Sequence, residues 1–298
     1  MDDTLANRRA AGGIGLLVRG RTATLDRLSQ DPVMRPAPVW FERLARVGIV
    51  AKAVVYLAIG SLATGVALEA GGILTGGDGV LRLVVGQPMG RGLLAALAFG
   101  FAAYTLWLFA QAVVDPDGNG TSVVGIANRT GQIITGIAHV ALTWEAVRLV
   151  LGLPGGRSTG VEGLVASVLD APFGRSLLRV AGLVVIVIGL IQIWRGLFGN
   201  LRRDWQLRAL DPDRHRWAYR VGRYGLAARG VVLSVSGLLV LHAAAAYDPE
   251  RAGGVADVLA QLWAQPASHW LLGTVALGLV SYGLFALVEA RYRFIPSA

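Results

Sequence analysis

Apolar residues dominate six stretches of the chain, at about 47–68, 92–114, 131–151, 176–198, 226–246 and 270–290, each close to the roughly 20 residues that cross a bilayer as a helix. The third stretch is the most interrupted, holding Gln132, Thr135, His139, Thr143, Glu145 and Arg148. A charge at the centre of a span costs about 2.5–3.5 kcal/mol. Glu145 and Arg148 lie three residues apart on one helical face near the span's end, so pairing and snorkelling offset that cost. The pattern predicts an all-α, polytopic integral membrane protein with six transmembrane helices.

A shorter pattern recurs between spans. Val161, Leu164, Val165, Val168 and Leu169, and likewise Val255, Val258, Leu259, Leu262 and Trp263, fall at i, i+3, i+4, i+7, i+8. Val80, Leu83 and Val84 repeat it less fully. These positions predict short amphipathic helices lying flat at the outer interface, each ended by Pro88, Pro172 or Pro266 before the chain turns back into the membrane.

The spans themselves repeat. Gly48-Ile-Val-Ala-Lys52, Gly131-Gln-Ile-Ile-Thr135 and Gly225-Leu-Ala-Ala-Arg229 open the first helices; Gln87-Pro88-Met-Gly-Arg91, Ala171-Pro172-Phe-Gly-Arg175 and Gln265-Pro266-Ala-Ser-His269 lead into the second. The chain therefore divides into an N-terminal cytoplasmic segment 1–39 with a candidate surface helix near Ile14 to Leu28, repeat 1 over 40–118, repeat 2 over 119–198, a basic linker 199–218 and repeat 3 over 219–298. An even number of spans per copy gives three parallel hairpins, expected to close as a pseudo-threefold ring.

Composition supports the membrane reading: 54% of the 298 residues are hydrophobic, 16% are charged and the mean hydropathy is +0.55. The net charge of +9 would suit nucleic acid, but its distribution does not. Of the 28 basic residues, 21 fall in segments at alternate ends of the spans, which places both termini and the 115–129 and 199–223 loops in the cytoplasm by the positive-inside rule. No nucleic-acid partner is expected. The 199–223 loop is basic and amphipathic with Trp205, suited to anionic lipid head groups. The first apolar run, Ile14 to Val18, is too short for a signal-peptide core, and the expected location is the bacterial inner membrane.

The three tandem two-span copies, the Gly-x-x-x-Lys/Arg-Gly/Ala start, the Pro-x-Gly-Arg-x-Leu-Leu return and the aromatic pairs Tyr104-x-x-Trp107 and Tyr282-x-x-Phe285 resemble the bacterial membrane family named domain of unknown function 1206. The resemblance covers residues 40–292. The middle copy departs from it at Thr135 and Ile188. It implies a six-helix membrane protein without an established activity and supplies no catalytic residues.

Candidate chemistry is sparse. With no cysteine there is no thiolate or Cys-zinc chemistry, and His139, His215, His242 and His269 fall on different segments without metal-ligand spacing. No cofactor is expected. Thr135, His139 and Thr143 share one face of the third span with His139 close to the midplane, a stripe that reads either as helix packing or as a polar path. Repeat alignment sets Lys52, Thr135 and Arg229 on the first helices opposite Gln111, Arg195 and Glu289 on the second, predicting an Arg229–Glu289 ion pair and a Lys52–Gln111 contact. Gly92, Ala96 and Gly100 form a small-residue ladder expected to pack closely. A structural or accessory membrane protein is the favoured reading, a channel or transporter for small ions or solutes the alternative, and an enzyme the least favoured.

Overall fold

The structure is a computed structural model that describes residues 39–115, 120, 123–154, 160–199 and 212–292. The expected N-terminal surface helix and the linker residues around Trp205 lie outside the described residues. The spans form helices α1 (Val39–Ala67), α3 (Gly90–Val114), α4 (Val123–Leu151), α6 (Gly174–Phe198), α7 (Pro212–Ala246) and α9 (Ser268–Tyr292). All six are long and apolar enough to cross a membrane. Between them lie the short helices α2 (Gly77–Val85), α5 (Val161–Leu169) and α8 (Val255–Trp263), with a 3₁₀ turn at Pro249–Arg251. Helix α7 starts at Pro212, so the last seven residues assigned to the basic linker are helical.

Close contacts join the spanning helices in the order α1–α3–α4–α6–α7–α9 and back to α1. Inside the first and third hairpins the same backbone approach recurs: a side-chain carbon placed on Gly48 would meet the backbone of Tyr104, and one placed on Gly225 that of Tyr282. In the second hairpin Gly131 meets the Ile188 side chain instead. An isoleucine in the tyrosine position thus makes this contact through a side chain rather than main chain.

Small residues bring the hairpins together. Gly182, Gly189 and Gly196 of α6 recur every seven residues, two helical turns, and press onto Gly237, Gly230 and Ala227 of α7. At the seam between α9 and α1, a carbon on Gly60 would lie 2.7 Å from Val280 N and one on Gly283 would lie 3.0 Å from Ala53 O. In lipid, such close backbone approach and its van der Waals contact drive helix association. The ladder expected on α3 is incomplete: Gly100 packs on Ala51, but Gly92 faces open space and Ala96 is exposed. The seven-residue repeat selects the packed face, which the four-residue spacing misses.

Each short helix buries two apolar side chains, Val80 and Leu81, Val165 and Leu169, or Val258 and Leu259, a gain of about 1.5–3 kcal/mol per side chain. Leu83, expected on the inner face of α2, is exposed, and Leu81 takes its place. After each terminating proline comes a residue in the left-handed region, Met89 (φ 61°), Phe173 (φ 61°) and Ala267 (φ 64°). This conformation costs a non-glycine residue about 1–2 kcal/mol. It aims the following helix straight back into the bundle.

The short helices converge at their N-termini. A carbon on Gly76 would lie 3.6 Å from Ala256 N, one on Gly254 3.3 Å from Val161 Cγ2, and one on Gly160 4.0 Å from Asp78. Each copy touches the next in cyclic order. The bundle is capped there by three helix starts.

Candidate functional site

The bundle interior holds a cluster to which all six spanning helices contribute. Lys52 of α1 is 5% exposed, and its Nζ donates to the Tyr104 hydroxyl of α3 at 3.2 Å. The ammonium also lies 4.8 Å from the centre of the Tyr104 ring and 5.4 Å from that of Tyr282 on α9. Arg229 of α7 sits over the same Tyr282 ring at 5.2 Å. Its Nε donates to the Tyr56 hydroxyl at 3.1 Å and its Nη1 to Gln192 Oε1 of α6 at 2.8 Å. Tyr56 meets Tyr282 edge-on at 4.8 Å. Desolvated cation–π contacts of this kind contribute about 2 kcal/mol.

Helix α4 enters the cluster through His139, whose ring meets Tyr104 edge-on at 4.9 Å and Phe101 at 6.0 Å. Its Nδ1 lies 2.8 Å from the Thr135 carbonyl; a carbonyl only accepts, so Nδ1 carries the hydrogen. Thr143 Oγ1 donates to the His139 carbonyl at 2.7 Å. The imidazole Nδ1 and the Thr143 hydroxyl are therefore bonded to their own helix.

The Arg229–Glu289 ion pair expected from the repeat alignment is not formed. Arg229 turns toward α1 and α6, in the other two repeats, and Glu289 acts electrostatically on Lys52. Lys52 likewise bonds Tyr104 rather than Gln111. Ala228 packs on Gly278 and Ala51 on Gly100, so Glu289 and Gln111 lie about three helical turns from the levels of Arg229 and Lys52. Arg229 finds its partners in the other repeats, whereas Lys52 bonds within its own hairpin.

Glu145 and Arg148 lie together near the short-helix end, Arg148 Nη2 2.6 Å from Glu145 Oε2. The carboxylate is 3% exposed and also lies 3.5 Å from Arg82 Nε of α2, which in turn is 3.9 Å from Asp78. Arg148 Nη1 donates to the Pro154 carbonyl at 3.4 Å. These charges tie the short helix of repeat 1 to the span of repeat 2.

A second set of functional groups was not anticipated. Arg46, Arg129 and Arg223 stand two residues before the glycines that open the three repeats. Arg129 Nε donates to Ala112 O at 2.6 Å and Nη2 to Val113 O at 3.4 Å. Arg223 donates in the same way to Gly196 O, at 2.8 Å, and to Leu197 O. Arg46 Nη1 donates to Ala290 O and, at 3.0 Å, to Arg291 O. Each guanidinium satisfies carbonyls that the last turn of the preceding repeat's second helix leaves without intrahelical partners, at the negative end of its dipole. At the other end of the seams, Arg175 donates to Ala244 O and Ala245 O at 2.9 and 2.8 Å, and His269 Nδ1 to Ala67 O at 3.1 Å. An arginine at the same offset from all three repeat glycines is the signal in the sequence; the positive-inside rule absorbs it as loop charge.

A family model described as Domain of Unknown Function (DUF1206) matches residues 47–115, 130–199 and 224–293. These three segments coincide with α1–α3, α4–α6 and α7–α9. A Bacillus subtilis (strain 168) protein named "Uncharacterized protein YxxB" is similar, 29% identical over 254 residues, which cover 85% of this chain and 92% of that protein. No solved structure matches the chain.

Proposed function

From the premise that this chain belongs to the DUF1206 family, we propose that it is a structural or accessory multi-pass protein of the bacterial inner membrane. One observation carries this reading: the three arginines that latch each repeat to the carbonyls of its neighbour, the last of them closing the cycle. A ring fastened at every seam is built to hold one arrangement. The interior agrees with it, since tyrosine rings pack against the two cations and the Nδ1 and hydroxyl hydrogens of His139 and Thr143 are spent on the α4 backbone.

In this reading the three hairpins share one orientation, with both termini and the 115–129 and 199–223 loops in the cytoplasm and the short helices at the outer interface. The basic 199–223 segment meets anionic lipid head groups. Met89, Phe173 and Trp270, all more than four-fifths exposed where the chain turns back, then rest among the acyl chains of the outer leaflet. The deciding experiment is a flux measurement on the purified full chain in liposomes. Proton and small-ion leak equal to that of empty liposomes is expected. A pH-dependent leak lost in His139→Phe would overturn the proposal.

A further inference from the structure

Hydrogen-bond donors outnumber acceptors in the interior cluster. The Lys52 ammonium carries three hydrogens and spends one on Tyr104; the Arg229 guanidinium spends Nε and Nη1 on Tyr56 and Gln192, leaving Nη2. Both tyrosine hydroxyls accept from a cation, so their own hydrogens are left to donate, and among the described residues those hydrogens meet no acceptor. Gln192 Oε1 accepts from Arg229.

Charge tells the same story. Two cations, Lys52 buried and Arg229 half-buried, face one tyrosine ring, and neither is in ion-pair contact with a carboxylate among the described residues; Glu289 acts on Lys52 from further away. Burying a charge this deep costs several kcal/mol unless a partner compensates it. The cation–π contacts and hydroxyls offset part of that cost and leave the sum of charge positive.

We propose that the Lys52 ammonium and the Arg229 guanidinium, which face the same Tyr282 ring at 5.4 and 5.2 Å, together bind one small monovalent anion of chloride size, with the Tyr56 and Tyr104 hydroxyls as its neutral donors. Size follows from the walls. The rings of Tyr56, Tyr104, Tyr282 and His139 pack edge to face around the two cations, and the converging short helices close one end of the bundle. A single-atom anion is coordinated by separate N–H and O–H groups without needing a planar fork, whereas a bulky organic anion would have to part the rings. The anion sits as a counter-ion at the centre of the bundle, linking α1, α3 and α7.

The test is equilibrium binding of ³⁶Cl⁻ to the purified full chain in detergent micelles, with gluconate holding the ionic strength constant. Saturable binding of one chloride per chain, displaced by bromide and not by gluconate, is expected. Tyr56→Phe combined with Tyr104→Phe keeps both rings and removes two donors, and should weaken binding by about tenfold or more. Lys52→Gln combined with Arg229→Gln should abolish it; should that variant fail to fold, the phenylalanine pair decides alone. Absence of saturable binding to the unmodified chain, or an unchanged affinity in the phenylalanine pair, overturns the proposal. Binding is read without a gradient, so it stands or falls independently of any flux result.

Discussion

Arg46 donates to the carbonyl oxygen of Ala290 across 244 positions of sequence, and this bond joins the first spanning helix to the last. Because Arg129 and Arg223 make the equivalent bonds at the other two seams, the contact between the chain's distant ends belongs to a threefold set. Packing of Gly60 and Gly283 continues the same seam through the membrane.

Replacing Arg46 with Gln should therefore destabilise the protein by about 1–2 kcal/mol, since hydrogen bonds from a charged donor are lost at a partly exposed site. Arg129→Gln and Arg223→Gln should cost similar amounts. Arg129→Lys or Arg223→Lys should recover only part, because an ammonium lacks the planar fork that bridges two successive carbonyls there. Unfolding midpoints in detergent check this; midpoints unchanged in all three variants would remove the latch from the account.

Glu145 is buried against Arg148 with Arg82 close by, so Glu145→Gln leaves a buried guanidinium without its counter-charge. The expected loss is about 3–5 kcal/mol. Adding Arg148→Gln should restore part of it. A double-mutant cycle measured by denaturation reads the coupling directly, and additive losses would mean the pair is not an energetic unit.

Ala267 is exposed and holds φ 64° in the turn before α9. Ala267→Gly should raise stability by about 1 kcal/mol, because glycine adopts this region without steric cost. Ala267→Val should lower it. A midpoint that falls in the glycine variant would show that the turn's geometry is not the limiting strain.

The proposed orientation is open to single-cysteine labelling, since the chain contains no cysteine of its own. Arg208→Cys should resist an impermeant thiol reagent in intact cells, whereas Gly71→Cys should react. Labelling of position 208 from outside would invert the topology.

His139→Phe should cost less than about 1.5 kcal/mol, because the ring's contacts with Tyr104 and Phe101 survive and only the Nδ1 bond to Thr135 is lost. Thermal unfolding of the variant checks it. A larger loss would mean that His139 makes a stabilising polar contact beyond its own helix.

The six spans and the three short helices were legible because hydrophobic length and period are local properties of the chain. The family followed from the same repeated glycine, proline and aromatic positions. What was not legible is directional. Repeat alignment grouped Arg229 with Glu289, yet it does not give depth along two antiparallel helices: Ala228 meets Gly278, which leaves Glu289 about three turns away, and Arg229 reaches Tyr56 and Gln192 instead. The latch arginines were hidden differently: each stands one residue before a matched segment, in a place where membrane proteins carry positive charge anyway. Gly92 and Gly100 share a face by spacing, but only Gly100 meets a neighbouring helix.

The seam closed by Arg46 sets the end of α9 beside the start of α1, just as the other two latches set α3 beside α4 and α6 beside α7. A circular permutant that ties residue 292 to residue 40 through a short polar link and opens the chain within 200–211 would keep every helix beside its present neighbours. Connectivity, in such a ring, is decoupled from architecture.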